Sequence, residues 1–494
     1  MRAAAFATLI ATVAGPSAAT VSYFGGPVIE NAKVYAVWWG PGIRLSPMVN
    51  APKGGMADFF TGVLDSSYLD WLNEYDTDLA AQGGARAGSA GTNQHIGRGN
   101  FAGVFELDDI PPGSVTDEQV QAVLLDSISK GVLPADDRNS VYAIFFPSSV
   151  NIDNSCKPRD GFEAYHYATA GAVNGVVYLV IADCGIKATN YFGEVASHEL
   201  IESITDRVPT PGDVPDYPQA WNDADAFEVA DLCDSVAGAS VPTLLGTFPV
   251  QKIWDNASNG CSSTHTFAQD YNVALEPSVV ELQPGQTLAV TVRTATVAGS
   301  AQPLVLSVTT PAGLNASFDN AAIASGGSAT LTLTLNADAS VPRDSQVVVS
   351  AQGTTGARSQ RHSAAVLLQP PEFTLYVGRQ SGELSPGGST TVPIGITPLH
   401  GEVGSVQLSV SGLPAQVTGS FSSIAKGTAT LTLRGHGAAL VTDAQFIVTA
   451  RGPTATHSAA GLYTVTPGHG CSTSGDGLLL FIAALATLAT RRQR

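Results

Sequence analysis

Three nearly unbroken apolar runs mark the first half of the chain: AKVYAVWWG at 32–40, SVYAIFFPSSV at 140–150 and GVVYLVIADC at 175–184. Each predicts a strand, the last of them buried. DEQVQAVLLDSISKGV (117–132) and the stretch around EVASHELIESITD (194–206) predict helices. In the second, Phe192, Val195, Leu200, Ile201 and Ile204 make the helix largely buried, with Asn190 as its N-cap. From about residue 271 the texture changes to short segments rich in Val, Thr, Leu and Ser, separated by Pro-Gly turns. ATLTLTL at 329–335 alternates with the period of two that a half-buried strand requires. The pattern predicts a multidomain chain: an α/β (α+β) domain with a helix packed on a sheet, then strands alone.

The strand-only part repeats itself. LQPGQTLAV at 282–290 matches LSPGGSTTV at 384–392, and GGSATLTLTL matches KGTATLTLRG, each about one hundred residues after its partner. That is the length of one immunoglobulin-like sandwich. The expected division is a leader at 1–19, a domain at 20–270, two sandwiches at 271–370 and 371–466, and a tail at 467–494. The sandwiches resemble the Ig-like modules appended to secreted bacterial hydrolases. Their His362, His436 and His457 are isolated in the sequence, and the plain role of the two modules is as spacers or adhesive units.

Charge is distributed unevenly. Residues 20–270 hold 12 Lys and Arg against 32 Asp and Glu, a formal charge of −20, while the rest is nearly neutral. This excludes nucleic acid and anionic lipid as natural partners and favours cationic or neutral substrates.

The chemistry concentrates in His198-Glu199-Leu200-Ile201-Glu202. Residues four apart share a helical face, so His198 and Glu202 could grip one metal ion with Glu199 beside it as general base. This is the zincin pattern H-E-x-x-H with a carboxylate in place of the second histidine, a ligand that Zn2+ also accepts. A third ligand is expected from AWNDADAFEVADLCD at 220–234. Glu228, between apolar Phe227 and Val229, is preferred and Asp231 is the alternative. Ca2+ held by the N-D-A-D oxygens competes with zinc, although the run lacks the glycine and terminal glutamate of an EF-hand loop.

YFGGPVIENAKVYAVWWGPG, SHELIESITD, AWNDADAFEVADLC and VQKIWDNASNGC together resemble the bacterial relatives of the plant EXORDIUM, or phosphate-induced, proteins. The resemblance covers most of residues 20–265. It implies an extracellular setting and a site built on His198, Glu199, Glu202 and the EVADLC segment. It also draws attention to Tyr165 and His166 in EAYHYA. His166 is expected either to hold substrate or an oxyanion, or to be a satisfied structural residue.

The ends and the cysteines bear on the compartment. Met1–Ala19 carries one arginine, an apolar stretch and a small-residue end, the form of a secretory leader cut before Thr20. Cys471, a short apolar run and terminal arginines resemble a myxobacterial C-terminal sorting signal, which implies processing or anchoring to membrane or surface at Cys471. The remaining four cysteines form an even set fit for an oxidising compartment. Cys156 with Cys184 and Cys233 with Cys261 is the favoured pairing, since each closes a loop of under thirty residues around part of the proposed site. A thiolate zinc site would need closer spacing.

Two function classes follow. One is a secreted, surface-anchored zinc metallopeptidase acting on a protein or peptide substrate. The other is a catalytically inactive EXORDIUM-like adhesion or signalling protein with a structural metal and a cell-surface partner. Glu199, in the position a general base needs, favours the hydrolase.

Overall fold

A computed structural model describes residues 20–465 except 41–42, 44–48, 50, 52, 108–110, 154, 158–160, 189, 210–213, 266, 355–360, 379–382, 385–386 and 437–440. The expected leader at 1–19 and the tail bearing Cys471 lie outside the described residues. The N-terminal domain is built on five strands: β1 (Lys33–Trp39), β2 (Asn100–Leu107), β3 (Ser140–Phe146), β4 (Ala164–Ala168) and β5 (Val177–Ala182). Their order is β2-β1-β3-β5-β4, with the first four parallel and β4 antiparallel at the edge.

The apolar runs read from the sequence are the three central strands, and their burial on both faces explains why they lack polar alternation. Val34, Ala36 and Trp38 join Val141, Ala143, Phe145, Leu179 and Ile181 on one face, in a cluster with the helices α1 (Met56–Leu64) and α3 (Tyr191–Thr205). Tyr35, Val37 and Trp39 point to the other face, where Val120 and Leu124 of α2 (Asp117–Ser129) cover them. A helix thus lies on each side of the sheet, with α3 beside β4 and β5. The chain approaches α3 closely at Gly193, where a Cβ would stand 2.5 Å from the Pro249 carbonyl oxygen. Only glycine lets the hairpin strand Gly246–Val250 pack there.

Residues 270–368 and 372–465 form two mainly antiparallel sandwiches of closely similar topology, each with one short parallel pair at an edge, as the repeat predicts. In the first, a four-stranded sheet holding Thr287–Ala298 and Ser328–Leu335 faces a five-stranded sheet holding Ser345–Gly353 and Arg361–Leu368. Alternate residues such as Ala329, Leu331, Leu333 and Leu335 fill its core.

The first sandwich is fastened to the N-terminal domain. Lys33 Nζ donates to the Asp344 carbonyl at 2.8 Å, Asn100 Nδ2 to the Ala365 carbonyl at 3.0 Å, and Gln369 Nε2 to the Ala102 carbonyl at 2.7 Å. Leu367 belongs to the same apolar cluster as α2 and the strands. The junction continues into the second sandwich, where Glu372 faces Arg343 and His457. Among the described residues, no helix is long and apolar enough to cross a membrane.

Candidate metal centre

Helix α3 carries the motif. Asn190 precedes its first turn, but its side chain donates to Glu194 Oε1 at 2.7 Å in place of the expected cap. One turn further on, His198 and Glu202 share a face and Glu199 stands beside them. The loop after the helix returns over this face as a short turn, Asp231–Cys233. Glu202 sets that turn in place: its Oε1 accepts from the Ala230 and Asp231 amides at 3.2 and 3.0 Å, which leaves Oε2 to face the imidazoles.

Two disulfides brace the surroundings. Cys233–Cys261 ties the turn to the strand Gly260–Ser262, and Cys156–Cys184 ties the segment leading to β4 to the one leading into α3. The pairing is the one favoured from sequence, and such bridges belong to proteins that mature in an oxidising compartment.

The tautomer of His198 can be read from its partners. Gln251 Nε2 donates to the Ala230 carbonyl at 2.9 Å and to Asp234 Oδ1 at 3.1 Å, which fixes its amide so that Oε1 faces His198 Nδ1 at 3.0 Å. Nδ1 therefore carries a hydrogen, and Nε2 is the nitrogen turned toward the carboxylates. Nε2 lies 3.1 Å from Glu202 Oε2, 3.5 Å from Asp231 Oδ1 and 4.0 Å from Glu199 Oε1. Ligand bonds of about 2.0–2.2 Å in a tetrahedral zinc site place donor atoms roughly 3.4 Å apart. The observed separations to Glu202 and Asp231 fit a cation held between the groups.

Electrostatics point the same way. Burial and then the surrounding carboxylates hold the Glu228 carboxyl well above its ordinary range, while burial, partly offset by His198, lifts Glu202 to about 6. Burial opposes charging of His198, but Glu202 and Glu199 override it and hold the imidazole well above its usual value. Glu228 Oε1 is buried with no hydrogen-bond partner. A cluster that tends so strongly to bind protons is one that another cation would discharge.

The structure brings together more than the sequence reading named, and arranges it differently. Asp231 faces His198, whereas Glu228, the preferred third ligand, stands at His166, 3.5 Å from Nε2. His166 projects from β4 behind the carboxylates with its side chain 2% exposed, so it meets no oxyanion in the open cleft. Tyr165, on the opposite face of the strand, donates to Asp117 Oδ1 at 2.7 Å. Asp223, counted toward calcium, uses Oδ1 to accept from the Asp225 and Phe227 amides, closing its own loop. Gln251 and Asp206 carried no sequence signal, yet they orient the two imidazoles.

A cleft of about 470 Å³ opens over this cluster, walled by Phe162 and Tyr191 and bearing Glu163, Glu194, Glu199, Asp231 and Asp234. Among the described residues, no lysine or arginine lines it.

No family model and no curated protein matches this chain. Solved structures similar to it include the I-band fragment I67-I69 from titin, at 13% identity and TM-score 0.17, covering 41% of this chain and 66% of that one. Domains 4 and 5 of the S-layer protein SbsC are similar at 14% identity and TM-score 0.20, over 40% and 98% of the two chains. A protein of unknown function from Porphyromonas gingivalis W83 is similar at 13% and 0.17, over 40% and 100%. The chain thus spans just under two thirds of the titin fragment, and scores this low assign it no family.

Proposed function

We propose that the N-terminal domain is a zincin-like, metal-dependent hydrolase acting on protein or peptide substrates outside the cell, held at the surface by the C-terminal segment. The observation that carries this reading is Nε2 of His198 facing the carboxylates of Glu202 and Asp231, with Glu199 beside it on the cleft wall. His198, Glu202 and Asp231 would hold the ion. Nitrogen with carboxylate donors suits zinc better than calcium. When bound, such an ion supplies Lewis acidity toward a carbonyl oxygen and makes nearby water easier to deprotonate.

The remaining work belongs to the chain. Glu199 lines the cleft and accepts the proton of the attacking water, then returns it to the leaving amine. Gln251 locks the His198 tautomer, and is itself fixed by an amide hydrogen bond to Ser197 Oγ at 2.8 Å. The five carboxylates of the cleft favour a cationic or neutral substrate and repel nucleic acid.

The test is metal content and cleavage on the full exported chain. Wild type should carry zinc and cut a peptide library, and Glu199→Gln should keep the metal while losing at least 100-fold in rate, as expected for removal of a general base. A chain that binds no transition metal, or a Glu199→Gln variant as active as wild type, overturns the proposal.

A further inference from the structure

The two sandwiches differ at one edge. In the first, the strand Pro303–Thr309 is flanked on its outer side by the short strand Ala322–Ala324, with Leu304 opposite Ile323. Ile323 packs against the core there. The corresponding strand of the second sandwich, Gln407–Ser411, is the last of its sheet.

The cause is a shorter connection. Phe318 pairs with Leu331 and Phe421 with Leu431, so these phenylalanines are equivalent, as are Ala329 and Ala429 two residues before each leucine. Between Phe318 and Ala329 lie the ten residues 319–328, and between Phe421 and Ala429 only the seven residues 422–428. The second connection is three residues shorter, as many as the strand Ala322–Ala324 holds. What remains leaves Ile424 37% exposed beside a groove of about 720 Å³, lined also by Ile396, Val403, Ser405 and Val406. Leu306-Ser307-Val308 recurs as Leu408-Ser409-Val410, which makes Ser405 and Val406 the equivalents of Pro303 and Leu304. The groove therefore lies where Ala324 and Ile323 pair in the first sandwich.

The open edge is complementary to itself. Ser405, Gln407, Ser409 and Ser411 are exposed, while Val406, Leu408 and Val410 lean on the core. About Leu408 the stretch S-V-Q-L-S-V-S is nearly palindromic. A second copy laid antiparallel, with Leu408 against Leu408, sets Val406 against Val410, Gln407 against Ser409 and Ser405 against Ser411. Each apolar side chain then meets an apolar one on the core face, and the end of the second strand covers the groove at Ser405 and Val406. The stretch carries neither the charges nor the proline with which sheet edges are kept apart. Residues 372–465 hold four Lys and Arg against four Asp and Glu, so the approach of two such sandwiches meets no net repulsion, although the whole chain carries −18.

We infer that this edge is a self-association surface: two chains pair through residues 405–411 about a two-fold axis at Leu408, joining two four-stranded sheets into one of eight. The inference is independent of the metal site. Seven residues of paired strand bury less than a standard interface, so the dimer forms reversibly with concentration.

The experiment is sedimentation of the full chain over a concentration series, with circular dichroism of each variant to verify folding. Wild type should shift from monomer to dimer as concentration rises. The double variant Gln407→Lys, Ser409→Lys sets like charges directly opposite each other from exposed positions, and should raise the dissociation constant by roughly 10-fold or more. Replacing residues 422–428 with the sequence of 319–328 supplies the missing strand within the chain, and should leave a monomer. Should that graft fail to fold, the lysine variant still decides the question. A wild type that is monomeric at every concentration overturns the proposal, as does a dimer that both variants leave intact. A monomer whose edge amides exchange hydrogen slowly until residues 467–494 are removed assigns the edge to the tail, and overturns it as well.

Discussion

Buried histidines occur in the sandwiches and in the N-terminal domain, and the two settings treat them differently. In the sandwiches two of them have one acidic partner each: His362 Nε2 lies 3.3 Å from Asp270 Oδ1, and His457 Nε2 lies 2.6 Å from Glu372 Oε1. Two N-terminal histidines away from the cleft follow the same rule, His95 with Asp76 and His265 with Asp255, both at 2.8 Å. Around His166 and His198, five carboxylates converge on two rings. A one-to-one pair is a closed account of charge and needs nothing further. An excess of buried carboxylate is stable only if cations from outside discharge it, and this separates a structural histidine from a ligand more sharply than burial does.

The largest effect should follow from removing the carboxylate that faces both imidazoles. Glu202→Ala should abolish stoichiometric zinc binding altogether, since one substitution takes a donor from each imidazole and unfastens the Ala230 and Asp231 amides. Two unpaired amides also cost about 1–3 kcal/mol each. Zinc retained at one full equivalent in a folded Glu202→Ala protein would show that the ion does not depend on Glu202, and would break the comparison on the metal side.

On the sandwich side, His457→Ala should leave metal content untouched and cost roughly 3 kcal/mol in chemical denaturation, the lower end for breaking a buried pair because Arg343 still faces Glu372. Glu372 also sets a pH dependence. Burial alone would raise its carboxyl, but the His457 hydrogen bond and charge, the Phe373 amide and Arg343 together hold it below its ordinary range. A carboxylate depressed in the folded state stabilises fully above its unfolded value and loses that contribution as pH falls through the folded one. The sandwich junction should therefore weaken below about pH 4.5, and the loss should be absent in Glu372→Gln. Identical acid unfolding of the two proteins would show that this pair contributes nothing.

How much of this could be read from the chain depends on range. The central strands, α2, α3, the duplicated sandwiches and the His198–Glu202 pair are local in sequence, so periodicity and spacing carried them. The place of His166 was not legible, because it reaches α3 only through the antiparallel edge position of β4, a five-residue strand with no periodicity of its own. The placement of Glu228 and Asp231 on different imidazoles depends on a single short turn after the helix. Gln251 is an ordinary polar residue in sequence, and only the hairpin that precedes it brings it to His198. The fastening of the first sandwich runs through backbone carbonyls at Asp344 and Ala365, which have no side-chain signature to read.

The smallest effect is the sharpest check on the tautomer. Asp234 stands 3.4 Å from His198, apparently a further ligand, but it faces Nδ1, the nitrogen already donating to Gln251 Oε1. Its side chain is 65% exposed and accepts from Gln251 Nε2. It therefore tunes the orienting amide from the outer side and does not touch the ion. Asp234→Asn should keep the zinc stoichiometry and change affinity by less than about threefold, within the range of an exposed charge. Asp231→Asn, on the Nε2 side, should lose about 10-fold or more. Should the two variants exchange these outcomes, the ion lies on the Nδ1 edge, Gln251 is flipped, and the assignment of donor atoms around His198 has to be reversed.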